Sequence, residues 1–503
     1  MFRKVLIANR GEIARRLILA CHELGITAVA IYSDADAEAP WVRLADERYN
    51  LPGVSATDTY LNQTAVLDIA TACGAEAIHP GYGFLSENAT FATACAERGI
   101  VFIGPSPEAI ELMGSKAKSR EIAEQAGVPI VPGVDGARMS AAELQTAVAH
   151  IEFPILIKAS AGGGGKGMRV VWSADQFADA VQAARGEAQN SFGDDHVLVE
   201  KYFTQIHHVE IQVLGDQYGN VLHLFERECS IQRRHQKIIE ETPAPVIQDD
   251  DLRQRMAAAA VSLAKAVNYS SAGTVEFIVD EKGGFYFLEM NTRLQVEHPI
   301  TELVTGIDIA VWQIRIANDE PLPFRQEDIQ QRGHAIECRV YAEDPANNFL
   351  PSIGEIARYE RPSGPGIRVD DGIESGTAVS PYYDPMLAKI ITWGHNREEA
   401  IGKMIRALQQ TVVLGVTTNI PYLLAILQEP TFCSGHTSTS YLQEIFPDWR
   451  PDVLDEDGWL GAAVFELLRG GGKKVRTSAL SNVEGTTAYD PWGETAVWRN
   501  VRR

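Results

Sequence analysis

The chain lacks any uninterrupted run of about 18 apolar residues, close to the shortest that crosses a bilayer as a helix, so the sequence argues against a helical membrane span. It also lacks a secretory start. In MFRKVLIANRGEIARRL the apolar run VLIA is short, and Asn9, Arg10 and Glu12 follow at once. Basic charge is scarce: 45 Lys and Arg stand against 67 Asp and Glu, a net charge of −22. That excludes a general nucleic-acid binder, which needs a basic face. It does not exclude an anionic substrate held in a local basic cleft. Cysteine is sparse too. Cys21, Cys73, Cys95, Cys229, Cys338 and Cys433 form no CxxC pair and no metal spacing. They read as reduced, mostly buried thiols of a cytoplasmic protein. No internal repeat or long low-complexity run is present.

What remains is ordinary globular composition, 45% hydrophobic and 22% charged over 503 residues. That length exceeds one core and implies several domains. Residues 1–113 alternate short apolar strands (5–9, 28–33, 77–81, 101–104) with helical stretches such as 12–24. This is the α/β pattern of a parallel sheet, whose ligands gather at the carboxyl ends of strands. Residues 114–203 read as linker helices plus a small α+β piece, with strands at 153–160, 168–172 and 196–203 and a helix at 174–189. Residues 204–447 form the largest block: antiparallel strands at 207–216 and 220–228, a helix at 249–268, a hairpin at 273–291, then mixed elements. Residues 448–503 differ in character and read as an appendage or docking segment, with a helix expected in WLGAAVFELL. The expected class is therefore multidomain, α/β followed by α+β.

Ala161 to Met168 place four consecutive glycines and Lys166 between two strands. Glycines let successive N–H groups approach phosphate oxygens without side-chain clash. The segment is not a P-loop, because no Gly-Lys-Ser/Thr opens a helix, and a strand follows where a dinucleotide fingerprint would have a helix. A hairpin tip over phosphates fits, with Lys158 on the strand before it; a glycine-rich hairpin without a ligand is the alternative.

The hairpin 273–291 is the most informative stretch. With a turn at Glu281-Lys282-Gly283-Gly284 and Asp280 opposite Phe285, Glu276 falls directly opposite Glu289 on one face, and Asn291 shares that face. Like charges facing each other destabilise a hairpin unless a cation lies between them. A hard ion such as Mg²⁺, with oxygen ligands from carboxylates and phosphates, accounts for the pair. Alternatively, one carboxylate points to solvent or meets an Arg. Next come Arg293, suited to a small oxyanion, and Glu297, a candidate general base; such a loop also reads as a capped helix entry. The run Glu226–Lys237 is either a solvated charge stretch or a set of anion contacts following a strand.

The strings KVLIANRGEIA, HPGYGFLSEN, MGSK, KASAGGGGKGM, HHVEIQV, ERECSIQRRHQK, EMNTRLQVEHP, GHAIECRVYAED and YYDPMLAK, in order from residue 1 to about 447, resemble the biotin carboxylase component of biotin-dependent carboxylases, of the ATP-grasp superfamily. The resemblance implies an N-terminal α/β domain, a mobile lid and a C-terminal domain that clamp ATP. It implies that Lys116 and Lys158 contact phosphates, with Gly164, Gly165 and Lys166 in the lid loop. Glu200, Lys201, Tyr202 and Phe203 would form the hinge at adenine; His208, Gln232 and His235 would line ribose and phosphates. Glu276, Glu289 and Asn291 would hold Mg²⁺ or Mn²⁺. Lys237, Arg293, Gln295 and Val296 would hold bicarbonate, Glu297 would remove its proton, and Arg339 would stabilise the biotin enolate. No Ala-Met-Lys-Met-like biotinylation site occurs, so biotin is expected on a separate carrier protein, with carboxyltransferase subunits and a homodimeric arrangement as further expectations. The competing readings are another ATP-grasp ligase, such as a carbamoyl-phosphate-forming one, and an inactive nucleotide-binding scaffold.

Overall fold

The computed structural model describes residues 1–136, 139–159, 168–192, 195–233 and 236–451, together with 460, 461 and 464. Its contacts separate two units, Met1–Arg450 and Pro451–Arg503. Of the second unit, only the helical backbone at 460, 461 and 464 and the residue at 451 are described. The appendage reading of 448–503, and most of its expected helix, therefore lie outside the described residues. So do the glycine tip 160–167, including Gly164, Gly165 and Lys166, and His235.

The first unit opens with the expected parallel sheet. Lys4–Ile7 lies at its centre, flanked by Thr27–Ser33 and then Glu47–Leu51 on one side, and by Ala77–His79 and Val101–Phe102 on the other. Glu47–Leu51 is a strand that sequence reading missed. Its burial alternates and its residues are mostly polar (ERYNL), so it carries no apolar run. The strand order reverses beside Lys4–Ile7, and in open α/β sheets that reversal opens a crevice at the carboxyl ends. The loops leaving it there are Asn9–Glu12 and Pro80–Phe84. Val5, Leu6 and Ile7 are fully buried between helices, as a doubly covered strand requires.

The small α+β piece is a four-stranded antiparallel sheet in the order Gly133–Asp135, Val197–Lys201, Ile155–Ala159, Met168–Val171. The helix Phe177–Phe192 packs on it through Phe177, Val181 and Ala184. The short strand Gly133–Asp135 was again too polar to be seen in the sequence.

The largest element is an eight-stranded antiparallel sheet. Its order is Phe285–Asn291, Ser271–Asp280, Ile206–Gly215, Val221–Arg233, Gln236–Thr242, His334–Tyr341, Met386–Gly394 and Ile367–Asp371. The helix Asp250–Ala266 covers one part of it, and the helix Arg397–Gln410 another. The run Glu226–Lys237 is corrected here. It does not follow a strand: Glu226–Arg233 is the end of one strand, and Gln236 and Lys237 begin the next.

The hairpin register is also corrected. Asp280 faces Gly284, not Phe285: the Asp280 N–H donates to the Gly284 carbonyl at 2.8 Å. Gly283 sits at φ +77, which closes the turn with a left-handed residue. The ladder then runs Val279–Phe285, Ile278–Tyr286, Phe277–Phe287, and shifts by one residue before Glu276–Glu289. Leu288 is the extra residue of a bulge. The expected carboxylate pair is thus present, reached through a turn and a bulge that offset each other.

Candidate functional site

One row of the eight-stranded sheet carries charge across four neighbouring strands. Glu289 pairs with Glu276, Glu276 with Glu210, and Glu210 with Arg227. Side chains in register on adjacent strands share a face, so three carboxylates and a guanidinium stand side by side. Lys237, at the start of the next strand, reaches into this row. Its Nζ donates to Glu210 Oε2 at 2.6 Å, Glu297 Oε1 at 2.7 Å and Glu276 Oε1 at 2.9 Å. Burial alone would pull the ammonium pKa down, but the three carboxylates outweigh it and hold it well above the ordinary lysine range.

Glu297 is fully buried and lies between two cations. Lys237 holds one oxygen, and Arg339 Nη2 donates to the other at 3.0 Å. Arg339 is anchored in turn by Glu240, through Nε at 2.6 Å. Burial raises the Glu297 pKa, but Lys237, Arg339 and Arg227 overcome it and hold the carboxyl well below its usual range. Glu240 shows the reverse balance: burial outweighs Arg339 and pushes it up to about 7.

Glu276 is engaged from several sides. Asn291 Nδ2 donates to it at 2.9 Å and Gln295 Nε2 at 3.1 Å. His208 Nε2 lies 2.8 Å away, near enough to pair if the ring is charged but outside hydrogen-bond geometry. Burial raises the carboxyl, and Lys237 followed by His208 more than reverses this, keeping it ionised. Gln232 Nε2 fixes His208 through Nδ1 at 2.6 Å. Glu289 differs. It is half-exposed to the cavity, and burial together with the charge of Glu276 raises its pKa. Two carboxylates with an amide beside them, one carboxylate repelled by the other, form an oxygen donor set suited to a hard divalent cation.

Arg293 is spread across the loop. Its Nε donates to Glu87 at 2.8 Å, Nη2 to Asn291 Oδ1 at 2.9 Å and Nη1 to Gln295 Oε1 at 3.2 Å. Of these groups, His208, Gln232, Lys237, Glu276, Glu289, Asn291, Arg293, Gln295 and Arg339 border a cavity of about 900 Å³ that is also lined by Asn9–Glu12 and Tyr82–Phe84 from the crevice of the parallel sheet. His208, Gln232, Lys237, Glu276, Glu289, Asn291, Arg293, Gln295, Val296 and Arg339 are thereby brought together.

The remaining expected residues are not part of that lining. Lys158 Nζ pairs with Glu200 at 2.5 Å, and Arg120 holds the other Glu200 oxygen at 2.7 Å. Lys201, Tyr202 and Phe203 line a separate cavity of about 380 Å³ at the junction of the small sheet with the large one. Phe203 stacks obliquely on Tyr286, with centroids 5.0 Å apart. Lys116 is exposed at the first turn of the helix Lys116–Gln125.

Family models match three consecutive stretches: "Biotin carboxylase, N-terminal domain" over 1–110, "Carbamoyl-phosphate synthase L chain, ATP binding domain" over 115–325, and "Biotin carboxylase C-terminal domain" over 337–444. Biotin carboxylase 1 of Bacillus subtilis is 50% identical over 444 residues, which are 88% of this chain and 98% of that one. The chain belongs to the biotin carboxylase family. It is an ATP-dependent ligase with the ATP-grasp fold.

Among solved biotin carboxylases, the domain from the Hydrogenobacter thermophilus 2-oxoglutarate carboxylase was crystallised as a dimer with MgADP, ADP and bicarbonate. It is 51% identical, superposes with a TM-score of 0.81, and the match covers 88% of this chain and 98% of that one. The pig mitochondrial propionyl-CoA carboxylase alpha chain is 51% identical over 459 residues, but the chain spans only 63% of its length.

The charged row and the loop beside it also contain residues that sequence reading missed. Glu210 and Arg227 are fully buried. Arg227 reaches Glu210 at 2.6 Å, Gln212 at 2.7 Å and Thr274 at 3.1 Å. The signal was there: in HHVEIQV, His208, Glu210 and Gln212 alternate on one face of an otherwise apolar strand. Glu87, from the loop after Ala77–His79, could not be linked to Arg293 without the fold.

Proposed function

We propose that the chain carboxylates biotin on a separate carrier protein, using bicarbonate and MgATP. The supporting observation is the Glu276–Glu289 pair at the rim of the cavity that Lys237, Arg293 and Arg339 also face. Glu276 and Glu289, with Asn291 beside them, would hold the Mg²⁺, which supplies charge neutralisation for the nucleotide phosphates. Lys237, Arg293, Gln295 and Val296 hold bicarbonate. A bicarbonate oxygen attacks the γ-phosphorus, the bond to ADP breaks, and Glu297 takes the bicarbonate proton. Carboxyphosphate then decays to CO₂ and phosphate, phosphate takes the ureido proton of biotin while Arg339 steadies the enolate, and the ureido nitrogen attacks CO₂ to form the new N–C bond. Phosphoryl transfer of this kind relies on positioning and charge more than on covalent help.

With Lys237 and Arg339 both on Glu297, the carboxylate is a weak base. In this reading it gains basicity when a bound anion draws those two cations away. Lys116, Lys158 and the 164–166 tip act on the phosphates, and Glu200–Phe203 with His208, Gln232 and His235 on the nucleoside, when the small sheet closes over the cavity. Closure excludes water from an intermediate that water destroys.

The test is ATP cleavage that requires bicarbonate and rises with free biotin. Cleavage that requires ammonia or an amino acid instead would overturn the reading. The final acceptor is an acyl-CoA, acetyl-CoA among them, or a 2-oxo acid such as pyruvate. Native capture of a biotin-bearing carrier and a carboxyltransferase subunit with the chain, itself a homodimer in this reading, would name the acceptor.

A further inference from the structure

Lys389 has no exposed surface, although it carries a charge. It lies on the strand Met386–Gly394, directly opposite Arg339 on one neighbour and Asp370 on the other. Burying an ammonium is expensive, and a like charge on the facing residue adds to the expense. Its Nζ donates to the Val296 carbonyl at 2.8 Å and lies 3.2 Å from Glu12 Oε1 and 3.9 Å from Asp370 Oδ2.

Two adjacent cations of the sheet therefore grip consecutive residues of one segment. Arg339 takes the Glu297 side chain, and Lys389 takes the Val296 main chain. Glu12, at the start of the helix Gly11–Glu23, accepts the Tyr82 hydroxyl on the same oxygen that meets Lys389. Asn9 Nδ2 holds the Pro80 and Tyr82 carbonyls, both at 2.7 Å. Lys389 thus joins the crevice loops of the parallel sheet to the 295–297 segment, and Glu12, Tyr82 and Val296 all border the large cavity.

We propose that Lys389 is a positioning residue for the small-anion half of the reaction: through Val296 and Glu12 it fixes where Gln295, Val296 and Glu297 stand relative to the crevice. This rests on the bicarbonate reading above. An ion pair that merely held the fold together would weaken every function of the site alike. A strut on Val296 acts on bicarbonate and leaves nucleotide affinity alone.

The experiment measures, on the full chain, kcat and KM for bicarbonate in ATP cleavage, ADP affinity by calorimetry, and the urea midpoint, for wild type, Lys389→Met and Glu12→Gln. A displaced reacting group costs about a hundredfold in rate. The expected result is a loss of that order in kcat/KM for bicarbonate in Lys389→Met, a smaller loss in Glu12→Gln, and ADP affinity at the wild-type value in both. Wild-type kcat/KM for bicarbonate in a folded Lys389→Met, or ADP affinity falling in parallel, overturns the proposal. If Lys389→Met does not fold, wild-type kcat/KM in Glu12→Gln overturns it. Absence of bicarbonate-dependent cleavage in the wild type would instead overturn the functional reading.

Discussion

At the scale of single residues, the site is a set of buried charges that hold one another in place. Glu297 touches Lys237 and Arg339 and receives no other charged donor among the described residues, so its oxygens are aimed by cations from two strands. Replacing it by Gln keeps the shape and removes the base. Glu297→Gln should abolish bicarbonate-dependent ATP cleavage while calorimetry finds ADP bound as in the wild type; unchanged turnover would remove the base assignment. Arg227 is different, because it does not line the large cavity and is held by side chains of the sheet. Arg227→Met leaves Glu210 buried beside Glu276 with one cation fewer. Breaking such a pair costs about 3–5 kcal/mol, to be read as a lowered urea midpoint. Glu276, Glu289, Arg293 and Glu297 were legible because alternation and composition mark them locally. Arg227, Glu87 and Lys389 were not, because what distinguishes each is a partner 17, 206 or 93 positions away.

At the scale of elements, the hairpin shows how a sequence argument can reach the right pair by an inexact route. Period-two alternation sets the face of Glu276 and Glu289, but the turn length read from Glu281–Gly284 was one residue out, and a bulge at Leu288 restores the match. Bulges are invisible to alternation counting, since they add a residue without a change in composition. The consequence can be checked. Phe277–Phe287 and Glu276–Glu289 flank Leu288, so deleting Leu288 regularises the ladder and keeps the carboxylates opposite each other. The Mg²⁺ concentration giving half-maximal ATP cleavage should stay at its wild-type value in this deletion and rise in Glu289→Gln. A rise in both would show that the bulge itself places Glu289. The polar strands Glu47–Leu51 and Gly133–Asp135 were missed for a related reason: neither carries an apolar run that a local reading can find.

At the scale of the molecule, the order of α/β unit, small sheet and large antiparallel sheet was legible because each has its own periodicity, and the crevice at the strand reversal follows from topology. What no local pattern shows is how the chain assembles a cavity whose wall sets Arg10, Lys237, Arg293 and Arg339 among Glu12, Glu276, Glu289 and Asp384. The same burial perturbs titration throughout the fold, and the signs differ. His223 is lowered to about 4 and His79 to about 3, each mainly by burial and the latter also by Arg16. Between those values and the ordinary 6.5, the unfolded chain binds protons that the folded chain does not, so these histidines cost stability as pH falls through that window. Glu240, raised to about 7, works the other way: between the usual glutamate value and 7 the folded state binds the extra proton, and stability falls as pH rises. The net slope mixes both, so single variants must separate them. Urea midpoints measured from pH 7 down to 4 should show His223→Gln gaining on wild type as the pH falls and Glu240→Gln losing to it. Parallel curves for His223→Gln and wild type would mean that His223 is protonated in the fold, and that burial there does not exclude the charge.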